Sequence, residues 1–282
     1  MNNLKTVALL AFMSTLLWLV AVSLFPDGGF MIGFLFVIGF NVLAYFFSDK
    51  LALATSRAKP VTEAELPNVY AIVRRLALQK NMPEPRIYLI ESPQPNAFAT
   101  GRSPKHAAVA VTSGILQILT DDELEGVLAH ELAHVSNRDI LISSIAAMIA
   151  SALTMLARMA FWFGGGNNRE SPLGAIGAII SLVVAPIAAM LIRLAISRTR
   201  EFQADETGAE TTGRPMMLAS ALEKISAGAS RIPMNVNPAT AQLFIENPMK
   251  ALRGGGMMKL LSTHPPTEER IARLAQMAQG VR

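Results

Sequence analysis

His130-Glu131-Leu132-Ala133-His134 is the stretch on which the reading of this chain turns. On an α-helix, residues i and i+4 lie about 40° apart around the axis, so both imidazoles face one space and can ligate one tetrahedral metal ion. Glu131 is rotated by about 100° from His130, beside that space rather than on it, where a carboxylate can accept a proton from an attacking water. Thr120-Asp121-Asp122-Glu123 is a capping-box pattern that opens the helix, and Leu124, Val127 and Leu128 supply its apolar residues. The rival reading is a surface helix with two incidental histidines.

Two histidines are too few for a catalytic zinc, which takes three protein ligands and keeps one position open. His106, His264 and any downstream carboxylate are candidates for the third. In Arg198 to Asp205 (RTREFQAD), Glu201 and Asp205 are again i and i+4, so one could ligate while the other orients an imidazole N–H. An ordinary solvated charge cluster fits the same spacing. The chain has no cysteine, so a thiolate site, a disulfide framework and a cysteine nucleophile are all excluded.

Composition places the motif in an unusual setting. Of 282 residues, 51% are hydrophobic and only 16% charged, against about 25% charged in a typical soluble domain. Four apolar segments account for this. Residues 7–25 and 29–47 are each about bilayer length and free of charge, joined by the turn Pro26-Asp27-Gly28, and read as a transmembrane hairpin over 1–50. A cleaved signal peptide is the alternative for the first, though its apolar run exceeds the usual core of about 7–15 residues. Segments 140–163 and 173–196, joined by a Gly-rich turn, form a second hydrophobic helical hairpin. Its small residues suit close helix packing in lipid. Arg158 and Arg193 leave open a buried hairpin that touches the bilayer only in part.

Lys50, Arg57 and Lys59 follow the second segment, and Arg198 and Arg200 follow the fourth, which places both termini and the polar remainder in the cytoplasm. That remainder, 51–139 plus 197–282, is long enough to bury a core. Thr62-Glu63-Ala64-Glu65 reads as a second capping box, opening a helix with Val69, Ile72, Val73 and Leu76 on one face. Arg86 to Glu91 and Ala107 to Thr112 read as strands, and Pro215 to Ala227 and Thr267 to Met277 as helices. The expected fold class is α+β: a mainly helical metal-dependent domain with a small sheet, joined to membrane helices. The hydrophobic hairpin leaves just after the H-E-x-x-H helix and returns just before Glu201, so it can bring Glu201 near His134. The net charge of +4 suits an anionic lipid surface, and no nucleic-acid motif accompanies it.

Taken together, the N-terminal hairpin, Pro95 to Gly101 (PNAFATG), Ala108 to Gly114 (AVAVTSG), His130 to Asn137 (HELAHVSN), Arg198 to Asp205 and Ser262 to Arg270 (STHPPTEER) resemble the HtpX-type heat-shock membrane proteases, relatives of the CAAX prenyl proteases. The matching stretches keep the family's order along nearly the whole chain. The resemblance implies a zincin-like gluzincin with one Zn²⁺ per chain, held by His130, His134 and Glu201, with Glu131 as catalytic base and Asp205 supporting a ligand. It further implies that Asn96, near an edge strand, binds substrate backbone and that His264 bonds the developing oxyanion. By residue type alone, Asn96 could equally form a turn and His264 cap a helix. The implied role is quality control at the inner membrane: hydrolysis of misfolded or damaged membrane proteins at the cytoplasmic face. Two readings stand beside it, a non-enzymatic membrane scaffold with structural zinc or none, and a prenyl-protein protease, for which four apolar segments are too few to enclose a chamber.

Overall fold

A computed structural model of the chain describes residues 11, 14–15, 29–137, 139–141, 198–231, 244–245 and 265–280. Most of the first apolar segment, most of the second hydrophobic hairpin and His264 lie outside the described residues.

The second apolar segment forms α1 (Gly29–Thr55), which runs eight residues past the expected end at Phe47. The extension has a packing reason: Ala52 and Leu53 are buried against Ile90, Phe98, Ala108 and Ala110 of the sheet. Among the described residues, no helix is long and apolar enough to cross a membrane.

The sheet comprises β1 (Lys59–Pro60), β2 (Arg86–Ile90), β3 (Ala97–Thr100) and β4 (Ala108–Thr112), in spatial order β1-β2-β4-β3. β2 pairs with β4 in parallel, while β3 runs antiparallel to β4 at the edge. Every residue of β4 is buried, as a strand covered on both faces requires. Its side chains divide by size: Val109 and Val111 join the helical core, and Ala108 and Ala110 leave room for α1 on the other face.

The helical layer starts with α2 (Pro67–Gln79), whose Val69, Ile72, Val73 and Leu76 are all buried as the spacing predicts. The expected capping box is not its cap. Pro67 occupies the first turn, and Thr62 and Glu65 instead close a turn before it, Glu65 Oε2 accepting from the Thr62 N–H and hydroxyl at 2.7 Å. After α3 (Ser113–Ile118) comes α4 (Asp121–Ser136), which carries both motif histidines and does have the full Thr120–Glu123 box. α5 (Arg198–Thr212), α6 (Pro215–Arg231) and α7 (Thr267–Ala278) complete the layer. α4 lies at its centre, packed against α5, α6, α2 and β3. Its buried residues go all the way round: Leu124, Val127, Leu128, Leu132 and Val135 fill the core, while His130 and Glu131 are enclosed where α5 and β3 approach.

Candidate active site and metal centre

The box at Thr120 fixes where α4 starts and therefore which way residues 130, 131 and 134 point. Thr120 Oγ1 accepts the Glu123 N–H, and Glu123 returns Oε2 to the Thr120 N–H at 2.8 Å. Burial of Glu123 opposes its charge, but Lys224, Ser220 and Thr120 together hold its carboxyl down to about 2.

Ten residues on, the two imidazoles meet edge to face, ring centroids 4.8 Å apart, with Nε2 atoms separated by 3.3 Å. Glu201, from α5, faces both: Oε2 is 3.7 Å from His130 Nε2 and Oε1 is 3.6 Å from His134 Nε2. One ligand atom from each residue lies within 4.8 Å of the others. A tetrahedral ion with bonds of about 2.0–2.1 Å sets its ligand atoms about 3.3 Å apart, so the histidine pair already has that spacing and the carboxylate is a few tenths of an ångström wider.

Behind the nitrogens stand two carboxylates. Asp205 Oδ1 is 2.9 Å from His130 Nδ1, and Asp139 Oδ2 is 3.3 Å from His134 Nδ1. With Nδ1–H donating backward, both Nε2 lone pairs point at one spot together with an anionic oxygen, an arrangement that calls for a cation. In the metal-free protein a proton can take that place: burial disfavours a charged His134, yet Glu201, Asp139 and Glu131 raise it to about 9.

Asp205 is clamped in turn by Arg270 of α7, which donates from Nε at 2.8 Å and Nη2 at 2.6 Å. Burial of the pair would penalise both charges, but each stabilises the other: Asp205 is held well below the usual carboxylate range and Arg270 above the usual guanidinium range. The distance between α4 and α5 depends on Gly208, where a Cβ would stand 2.9 Å from the His130 backbone nitrogen. Only a residue without a side chain lets α5 come this close with Glu201 two turns away on the same helix.

Glu131 is buried beside the cluster, and its Oε2 accepts the Ala99 N–H of β3 at 2.9 Å. Asn96 directly precedes β3 and is 1% exposed, with Oδ1 accepting the Ile245 N–H at 2.9 Å. A substrate N–H therefore reaches that oxygen only where Ile245 gives way. His106, one of the alternative third ligands, is exposed in the β3–β4 turn, with Nδ1 3.0 Å from Ser103 Oγ.

The family model for Peptidase family M48 matches residues 63–278. The chain belongs to peptidase family M48. Two relatives from different lineages carry the name "Protease HtpX homolog": that of Thermodesulfovibrio yellowstonii is 51% identical over 283 residues, 99% of both chains, and that of Thermococcus sibiricus is 49% identical over 285 residues, 99% of this chain and 97% of its own. Among solved structures, S. mikatae Ste24p aligns with 97% of this chain at 20% identity and a TM-score of 0.50, a likeness of fold alone. This chain spans 64% of that protein's length. The M48 protein is thus a metallopeptidase, and the His130, His134 and Glu201 cluster fits its metal.

Asp139, Arg270, Gly208 and the Ala99 N–H are absent from the sequence reading. Arg270 left a trace: it shares a helical stripe with Thr267 and Leu274, all buried, and an arginine on such a stripe needs an acid. Asp139 has no such periodicity, because it acts from beyond the end of α4.

Proposed function

We propose that this protein is a zinc-dependent endopeptidase integrated in the inner membrane. On this reading both termini and the catalytic domain, 51–139 plus 197–282, lie on the cytoplasmic side, and hairpins 1–50 and 140–196 hold it to the bilayer. Its substrates are peptide bonds of misfolded or damaged membrane proteins. The observation that carries the proposal is the convergence of His130 Nε2, His134 Nε2 and Glu201 with Glu131 beside them, each imidazole backed by a carboxylate. The donor set, two neutral imidazoles and one carboxylate, is that of a catalytic rather than a closed zinc site. Bound there, Zn²⁺ would polarise the scissile carbonyl and make water acidic enough to attack near neutral pH.

The residues divide the remaining work. Glu131 takes the water proton and passes it to the departing amine. Asp205 and Asp139 keep the imidazoles in one tautomer and orientation. His264 donates to the oxyanion. The substrate adds to the edge of β3 as a strand. Thr112 N–H donates to Asn96 C=O at 2.9 Å, so alternation along β3 directs the backbone groups of Ala97 and Ala99 away from β4; the Ala99 N–H goes to Glu131, and an incoming chain would pair with the others. Pairing through backbone gives affinity without a strong sequence preference.

The test is Glu131→Gln in the full chain, with metal content and cleavage of an unfolded protein measured together. Cleavage should fall by at least about a thousandfold while one zinc per chain remains. Loss of zinc with the substitution would favour a structural ion, and cleavage confined to a farnesylated peptide would make this a prenyl-protein protease.

A further inference from the structure

The lower half of α1 and the β3–β4 turn form one surface. α1 leaves large apolar side chains open along its length, among them Leu35 at 62% and Leu43 at 54% exposure, and its last exposed aromatic residues are Tyr45, Phe46 and Phe47. The next two residues, Ser48 and Asp49, are buried against the domain. At that level the cations gather. Lys50 Nζ lies 5.0 Å from the Phe47 ring centroid, and the Arg102 guanidinium 5.1 Å from that of Phe46. The turn from Gly101 to Ala107 adds Lys105 and His106, both exposed, and contains no acid. Asp49, the nearest carboxylate in α1, is taken by Arg86 at 3.1 Å, and among the described residues no carboxylate pairs with Lys50, Arg102 or Lys105. The turn is closely packed: Gly101 has φ +140°, and a Cβ there would collide with the His106 carbonyl oxygen.

We propose that Lys50, Arg102 and Lys105 form a docking surface for anionic phospholipid headgroups, which seats the β3–β4 turn on the bilayer and thereby sets the position of β3. The inference rests on the reading that α1 lies in the membrane, and adds which lipid the domain engages and what that does. The apolar face ends in three aromatic residues followed by cations that pair with no carboxylate among the described residues, the sequence of environments from acyl chain to headgroup. Each cation near an anionic leaflet adds attraction, and among the described residues no carboxylate competes for those three. β3 runs straight into this turn, and its Ala99 N–H holds the Glu131 carboxylate at 2.9 Å. Fixing the turn would fix the strand that holds the Glu131 carboxylate and, on the proposed reading, takes the substrate.

The full chain would be placed in nanodiscs of phosphatidylcholine alone or with about a third phosphatidylglycerol. Peptidase activity should rise severalfold with the anionic lipid. Arg102→Gln with Lys105→Gln should keep the rate in phosphatidylcholine and lose the gain. Since the chain has no cysteine, Ser103→Cys gives a single labelling site. A fluorophore there should be quenched by a headgroup spin label in anionic discs, and much less so in the glutamine double variant. Equal weak quenching in both lipids, no response of the rate to phosphatidylglycerol, or a double variant that keeps the whole gain would each overturn the proposal. Failure of the endopeptidase reading would instead show as no cleavage in either lipid with quenching intact, and failure of the membrane reading as a chain not retained in the discs.

Discussion

The two metal-facing histidines lie one turn apart on one helix and are held by the same device to very different degrees. His130 has a side chain 2% exposed, an aspartate at 2.9 Å, and an arginine that grips that aspartate from two nitrogens. His134 is 15% exposed, its aspartate is at 3.3 Å, and Arg200 stands 3.9 Å behind that aspartate. The first arm is built from α5 and α7 and closed on all sides; the second is built where α4 ends and opens toward the rim. The same device thus holds one histidine tightly and the other loosely, so the two should respond unequally when their supports are removed.

The largest expected effect separates the arms by stability. Arg270→Met leaves Asp205 buried and uncompensated and should cost about 3–5 kcal/mol, whereas Arg200→Met should cost under about 2 kcal/mol; chemical unfolding of the two variants compares them, and equal losses would mean that the arms are equivalent. Metal affinity sharpens the contrast. Asp205→Asn should weaken zinc binding toward the upper end of the 10–100-fold range typical of groups that orient ligands, and Asp139→Asn toward the lower, by competition with a chelator. Gly208→Ala acts on the spacing of α4 and α5: it should destabilise by about 1–3 kcal/mol and move Glu201 away from both histidines, visible as lower zinc retention.

pH separates the metal-free state from the loaded one. In the metal-free protein the raised His134 contributes stability that is fully present below about 6.5, its unfolded value, and is lost as pH rises through about 9. Zinc must displace that proton, so its apparent affinity should climb with pH, by up to about tenfold per unit, until about 9. Thermal shifts with and without metal should therefore run in opposite directions across this window. The smallest effect is the reference at the other end of α4. Glu123→Gln should cost about 1 kcal/mol at neutral pH, and because the folded carboxyl sits at about 2, that contribution is whole above about 4.5 and fades as pH falls toward 2.

Much of this was legible in the chain itself. The capping box at Thr120, the strand runs over 86–90 and 108–112 and the helices from Pro215 and Thr267 all follow from local pattern. The box at Thr62 failed because Pro67, with no N–H to be capped, was the better start for α2. Glu201 was reachable in principle, since the spacing of Glu201 and Asp205 matches that of the histidines, Glu201 facing both Nε2 atoms and Asp205 the Nδ1 of His130. The short edge strand β3 shows no periodicity in four residues, so it emerged from a resemblance and not from its pattern. Asp205 was named from its spacing to Glu201, but its pairing with Arg270 was hidden for a deeper reason: a buried ion pair is specified by two distant residues, and the arginine half looks no different from a surface charge.

The hydrogen bond from Ala99 to Glu131 would give the proposed reaction a form of self-timing. One oxygen of Glu131 is tethered to β3, so if that strand takes the substrate, a shift of it under an incoming chain would turn the carboxylate as well. On the proposed mechanism, proton transfer would then be coupled to occupancy of the strand edge.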